Sequence, residues 1–419
     1  MNEISALKSS KSALFLQNSN PLMKIEKFES RLELKWKDDI VVIFWVNQKN
    51  KITIRKVRKK EVKEIPLDIH GTDLLDIHNN YVKIIGDYLC FIAYGRTSNY
   101  IYVINLENWS KYVIQTKQLV IDYHLTEEMK IITIEKSDTI IYAGLYDVIS
   151  GKTLDFDEAF DSEELTGYIQ FCSYERSNGI TSVFLYETDS EYEQVLIVKI
   201  DITVQNNSLE IDTIEEEIDD TIDENFRNFS IDVFSSYIVF INYDRLMIFD
   251  YDLSCLLDKP FGCEIYLLCN DPESPCVIIG LLNSECGGED EIYIIDPKTE
   301  QIIHQDEIYL DGCECCWAGN QWVYLSKDGI LKSVDKYGNE KIIGEINDDS
   351  MEIKYKSDRF LVITTYEEDC IYYVNLVSKE IVRIPTYYEV SNVNCSEKDI
   401  LVSMTLNRYK IYSIIEILH

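Results

Sequence analysis

One local pattern recurs seven times along the chain: an apolar strand-like run, then Asp or Asn, then a few turn-forming residues and a second short run. It reads Tyr-Val-Ile-Asn-Leu-Glu-Asn around Asn105, Leu-Tyr-Asp-Val-Ile-Ser-Gly around Asp147 and Val-Lys-Ile-Asp-Ile around Asp201. It returns as Met-Ile-Phe-Asp-Tyr-Asp at Asp250, Tyr-Ile-Ile-Asp-Pro-Lys-Thr at Asp296, Lys-Ser-Val-Asp-Lys-Tyr-Gly at Asp335 and Tyr-Tyr-Val-Asn-Leu-Val-Ser at Asn375. The intervals are 42, 54, 49, 46, 39 and 40 residues. Asp and Asn side chains accept a hydrogen bond from backbone a residue or two further on and tolerate turn geometry, so each occurrence predicts a hairpin. A period of this length constrains the fold strongly, because one unit cannot bury its own faces and must stack on its neighbours.

Each unit divides into about four strand-like pieces. Around Asn105 these are Tyr81 to Ile85, Tyr88 to Ala93, Tyr100 to Ile104 and Tyr112 to Gln115, separated by Gly86-Asp87, Gly95 to Asn99 and Glu107 to Lys111. Four strands per unit, repeated along nearly the whole chain, resemble the blades of β-propeller repeat proteins. The resemblance is one of architecture: no Trp-Asp dipeptide or Gly-His pair marks the units, and the one double glycine, Gly287-Gly288, does not recur. It implies an all-β fold, a single propeller domain over residues 1–419 of about eight blades, within a range of seven to nine. The last unit, ending in Tyr409 to Ile417, lacks an outer strand. A spare piece, Ser12 to Leu16, precedes the first unit and is expected to pair there and close the ring.

The apolar residues suit strands: Ile and Val abound beside 29 Tyr and 15 Phe. Seven prolines leave little room for a proline-rich linker. Near the N-terminus the apolar run Ala13-Leu14-Phe15-Leu16 is too short for a secretory signal, and Ile40 to Val46 is of strand length rather than membrane length. Twelve cysteines in 419 residues fall short of a disulfide scaffold, so reduced thiols in a cytoplasmic protein are expected.

Charge narrows the partners. The formal net charge is −34, yet residues 1–70 hold 15 of the 40 basic residues and only 9 of the 74 acidic ones. The remainder is strongly anionic. Such a body repels nucleic acid and anionic lipid, whose binding depends on phosphate neutralisation, and attracts a basic protein.

Motif by motif, catalytic chemistry finds no support. Ser150-Gly151-Lys152-Thr153 ends like a phosphate loop, but Tyr146 stands where the first glycine belongs, and the context is a hairpin. Cys313-Glu314-Cys315-Cys316, with Cys263 and Cys286 upstream, lacks a second zinc knuckle and reads as packed thiols. His70 and His78, flanked by Asp68, Asp73 and Asp76, match no ligand spacing; His124, His304 and His419 stand apart. Asp155, Asp157, Asp161, Glu163 and Glu164 suggest a calcium loop, but Phe160 and Thr166 hold the positions that need Gly and Glu. Lys51 to Lys63 reads as an outer hairpin whose basic residues protect an edge. No catalytic residue, metal or cofactor is therefore expected.

Ser208 to Asn225 differs in kind. Ile211, Ile214, Ile218 and Ile222 recur at helical spacing on an acidic background, so the segment is either a strand running into an acidic connector or an amphipathic helix offered to a partner. Its acids, Glu215, Glu216, Glu217, Asp219, Asp220, Asp223 and Glu224, are the expected partner-binding residues. Two functions remain: a non-enzymatic scaffold, such as an inhibitor or immunity-type protein acting on a basic protein, or an enzyme with a carboxylate site in the propeller's central channel. Convergent carboxyls of shifted pKa would favour the enzyme.

Overall fold

The computed structural model describes residues 13–16, 23–26, 31–46, 51–67, 77, 81–95, 98–161, 169–175, 179–188, 194–219, 229–269, 271–283, 289–308, 314–346, 351–365, 370–386, 388–396, 399–406 and 409–418. Among them no α-helix occurs, and so none is long and apolar enough to cross a membrane. The strands form the nine antiparallel sheets of a β-propeller, over residues 31–66, 83–115, 119–161, 169–219, 229–260, 265–307, 316–345, 352–385 and 389–418. Nine is the upper end of the expected range; every unit read from the sequence is a sheet of its own.

The unit around Asn105 shows how local chemistry builds a sheet. Its strands are Lys83–Ile85, Tyr88–Tyr94, Asn99–Asn105 and Lys111–Gln115, within two residues of the bounds expected. Leu89 to Ala93 are all buried in succession because both faces of this inner strand are covered. The third strand ends at Asn105, whose Oδ1 accepts the backbone N–H of Glu107 at 2.8 Å and of Asn108 at 3.0 Å. The same turn is made by Asp147 with Ser150, Asp250 with Asp252 and Ser254, Asp296 with Lys298, Asp335 with Tyr337 and Asn339, and Asn375 with Val377 and Ser378.

Asp201 is the exception. Its strand, Gln194–Gln205, continues four residues beyond it and turns at Asn206-Asn207, both with positive φ. Paired asparagines supply the left-handed geometry of a two-residue hairpin, so the turn moves to them. Asp201 instead lies 3.0 Å from the ammonium of buried Lys199 and accepts from Ser182 Oγ at 2.5 Å.

The chain divides into two compact units. In residues 68–265, apolar clusters are each shared by consecutive sheets: Ile92 and Val103 with Tyr123 and Ile131, then Ile134 and Ala143 with Val198 and Ile200, then Phe184 and Ile197 with Phe240 and Phe249. A fully buried carboxylate, Glu135, is satisfied by Thr133 Oγ1 at 2.7 Å, Tyr146 Oη at 2.7 Å and the N–H of Gln118 at 2.6 Å. These bonds meet its acceptor demand in place of water. Burial, then the Glu135 charge, hold the Tyr146 phenol well above its ordinary pKa.

Residues 1–67 and 266–419 form the other unit. Here Ile292 and Ile294 pack with Trp322 and Tyr324, Leu331 with Leu361 and Val374, Val362 and Ile371 with Val393 and Val402, and Val42 with Leu401 and Tyr412. The ninth sheet is closed as expected: Ala13–Leu16 pairs antiparallel with Ile415 to Leu418. A second piece, Met23–Glu26, not anticipated from the sequence, pairs with Tyr409 to Tyr412. First and ninth sheets are also tied by Arg58 to Asp399 at 2.8 Å and by Asn394 Nδ2, which donates to the carbonyl of Asp39 at 2.5 Å. The basic hairpin comprises Lys51–Lys56 and Glu61–Pro66, the third and fourth strands of the first sheet. Lys59, Lys60 and Lys63 are exposed there, but Lys56 is buried, paired to Glu61 at 2.5 Å with its ammonium 5.2 Å from the Trp36 ring.

Candidate functional site

Ser208–Asp219 is a strand, as the first of the two readings has it, and not a helix: it is the fourth strand of its sheet and pairs with Gln194–Gln205 over its whole length. The helical spacing of its isoleucines has another cause. Residues three apart on a strand point to opposite faces, and here Ile211 and Ile214 pack against different neighbouring sheets. Ile211 joins the cluster shared with the preceding sheet, and Ile214 the cluster shared with the following one. Ile211 and Ile214 therefore pack against the protein's own core, and β-branched side chains favour the strand.

The expected binding acids separate accordingly. Glu215 and Glu216 are exposed and pair in register with Val198 and Ile197; Glu217 and Asp219 lie on the same strand opposite Leu196 and Gln194. Asp220, Asp223 and Glu224 fall outside the described residues. A second acidic segment, read from the sequence as an incomplete calcium loop, is the strand Lys152–Asp161, the outer strand of the preceding sheet. The two outer strands lie side by side: Asp155 Oδ2 accepts Ser208 Oγ at 2.7 Å and the N–H of Leu209 at 2.8 Å, and Thr213 Oγ1 donates to the carbonyl of Ala159 at 3.2 Å. These bonds, the Leu209 amide first, hold Asp155 below the usual carboxylate range.

Around that seam Asp157, Glu158, Asp161, Glu210, Asp212, Glu215 and Glu216 are all exposed. Among the described residues none of the seven has a cationic partner. The result is an acidic wall of two adjoining strands, within the unit of residues 68–265. Sequence reading found one strand of it and missed the other, because only sheet stacking brings segments about fifty residues apart together.

The other titratable cluster lies in the second unit. His304 and Asp306 project from the outer strand Gln301–Glu307, Tyr324 and Lys332 from Gln321–Leu325 and Ile330–Asp335, and Glu340 from Glu340–Glu345. Tyr324 Oη lies 2.8 Å from His304 Nε2 and donates to Asp306 Oδ2 at 2.8 Å. Lys332 Nζ bridges Asp306 at 2.7 Å and Glu340 at 3.4 Å. Burial holds the His304 imidazole below its ordinary pKa against the pull of Glu340 and Asp306. Burial and the Asp306 hydrogen bond push the Tyr324 phenol far up. For Lys332 burial works against the ammonium, but Asp306 and Glu340 outweigh it and raise the pKa. Beside the cluster an open cavity of about 360 Å³ is lined by Glu291, Glu307, Asp328 and Lys327 as well as Asp306 and Lys332.

The remaining candidates are structural where described. Ser150 and Gly151 lie in a hairpin turn closed by the Gly151 N–H, which donates to the Asp147 carbonyl at 2.9 Å. Cys263, Cys315 and Cys316 are buried thiols, Cys316 pushed up to about 12 chiefly by burial, and no described cysteine joins a metal-like group. Cys286, Cys313, His70, His78 and His419 lie outside the described residues. Asp39, Asp232 and Glu314 have carboxyl pKa values raised mainly by burial, but they lie on separate segments and none lines the cavity.

No protein-family model matches the chain, and no curated protein matches it. Among solved structures, a eukaryotic initiation factor aligns with a TM-score of 0.52 at 9% identity, covering 88% of this chain and 92% of its own. Sqt1 of Saccharomyces cerevisiae gives 0.43 at 10% identity, over 94% of this chain and 98% of its own. BamB from Moraxella catarrhalis gives 0.40 at 8% identity, over 96% and 100%. Identities this low speak to fold alone, and the fold is the β-propeller.

Proposed function

We propose that the protein is a cytoplasmic, non-catalytic scaffold that binds a basic protein through the acidic wall of Lys152–Asp161 and Ser208–Asp219. The observation that carries this reading is the set of seven exposed carboxylates on two adjoining outer strands, without a cationic partner among the described residues. A rigid sheet presents them at fixed spacing, and like charges held together lower their mutual repulsion by taking up an opposite charge. An inhibitor that masks a basic effector is one form such a scaffold takes. The enzyme alternative rests on no such set: among the described residues the carboxyls of raised pKa, Asp39, Asp232 and Glu314, lie on separate segments.

The test is affinity purification of the tagged protein from its native cells across a salt series. The expected result is a basic protein retained at about 0.1 M salt and released toward 1 M, as the Debye length falls from ~10 Å to ~3 Å. Recovery of nucleic acid alone, or of nothing at any salt, overturns the proposal.

A further inference from the structure

We infer that His304, Asp306 and Glu340 form a site for a borderline first-row divalent cation of the zinc class, with Lys332 as a built-in competitor for the same place. One ligand atom from each of the three residues lies within 4.8 Å of the others. Tetrahedral zinc needs its nitrogen and oxygen ligands roughly 3.3 Å apart, so a small contraction suffices. His304 Nε2 and a Glu340 oxygen are already 3.6 Å apart. The set is chemically mixed: an imidazole with two carboxylates suits zinc better than calcium or magnesium, which take oxygen ligands.

The position is already built to hold positive charge. Lys332 now sits between the two carboxylates, and a compact ammonium on a flexible stem is a point charge that can be exchanged for a metal ion. With Lys332 in place, the two carboxylates and one ammonium leave a net single negative charge. With a divalent ion in its place the pair is neutralised. The ammonium has somewhere to go, since Lys332 also lines the adjacent open cavity, whose walls carry Glu291, Glu307 and Asp328. The same cavity gives the ion its entry path and leaves room for a water as fourth ligand. Tyr324 Oη is bonded to the same His304 Nε2 that takes the ion, so that bond is given up on loading, while its bond to Asp306 Oδ2 keeps that carboxylate in place. The sequence conceals this site: His304 and Asp306 share one strand face, but the third donor, Glu340, comes from the next sheet.

Cobalt(II) titration of the full chain tests the inference, because its visible spectrum distinguishes nitrogen and oxygen ligands from thiolates. One equivalent of cobalt should bind without a thiolate charge-transfer band, and zinc should displace it. His304→Ala should weaken binding by more than about tenfold, the lower bound being what the loss of an outer-shell partner costs. Lys332→Met, which removes the competitor and keeps the three donors, should tighten binding about tenfold. Circular dichroism of each variant checks that the fold is kept, and Glu340→Gln supplies a second ligand variant. No uptake by either wild type or Lys332→Met, uptake indifferent to His304→Ala and Glu340→Gln, or a thiolate band pointing to the cysteines would each overturn the inference.

Discussion

Individual side chains in this protein are placed by turn chemistry and by burial, and each makes a measurable claim. Asp335 ends a strand and accepts the N–H groups of Tyr337 and Asn339, and the side chain of Asn339 holds its carboxyl below the usual range. The turn also requires Gly338. Its φ is +80°, and a Cβ there would press on the Ile303 carbonyl of the preceding sheet's outer strand, well inside van der Waals contact. Gly338→Ala should therefore lower stability by about 1–3 kcal/mol, read as the denaturant midpoint, through strain and overpacking. His124 makes a claim about pH. Burial lowers its pKa to about 4, against the pull of Asp122 and in the same sense as Lys83. Between pH 6.5 and 4 the unfolded chain thus binds a proton that the native state refuses. Stability from this group is complete above 6.5 and is lost as pH falls through the window, by up to about 3 kcal/mol. His124→Gln should flatten the stability profile between those pH values; an unchanged slope would show that the imidazole is solvated.

At the scale of elements, the ninth sheet depends on strands contributed from the other end of the chain. Tyr409–Leu418 receives Ala13–Leu16 on one half and Met23–Glu26 on the other. Deleting residues 1–20 uncovers only the first half, and deleting residues 1–28 uncovers both. Each ladder hydrogen bond contributes about 1 kcal/mol net, so Tm should fall in two graded steps, the longer deletion costing more. The longer deletion should also bring aggregation, since it leaves a bare edge strand. Equal Tm for all three chains would mean that the edge needs no cover. The basic hairpin shows a related economy: an outer strand exposes Lys63, while Lys56 one strand further in is buried against Glu61 and Trp36.

For the whole molecule, the net charge of −34 governs encounter more than fold. Replacing Glu210, Asp212, Glu215 and Glu216 by Gln or Asn should slow association with the proposed basic partner, by about tenfold at low salt, and leave Tm near wild type. Exposed charges steer the approach and contribute little to folding stability. Ile214→Ser should do the reverse, lowering Tm while sparing the on-rate, because Ile214 packs in the core between sheets. Surface plasmon resonance across a salt series, beside thermal melts, separates the two. An acid-depleted variant that binds at the wild-type rate would remove the wall from the interface.

What the sequence determined by itself was whatever depends on neighbouring residues. The Asn105, Asp147, Asp250, Asp296, Asp335 and Asn375 turns follow from side chains that reach backbone two to four residues away. The four-stranded unit follows from their spacing, and the closing role of Ala13–Leu16 from a strand missing at the other end. Tertiary structure decided what depends on both faces of a strand being covered. It turned Ile211 and Ile214 from a helical stripe into residues of two different cores, since residues three apart on a strand point to opposite faces. It moved the Asp201 turn to Asn206-Asn207, because a longer partner strand was there to pair with. It also assembled the acidic wall and the cluster of His304, Asp306 and Glu340 from separate sheets, because side chains distant in sequence become neighbours only when sheets stack.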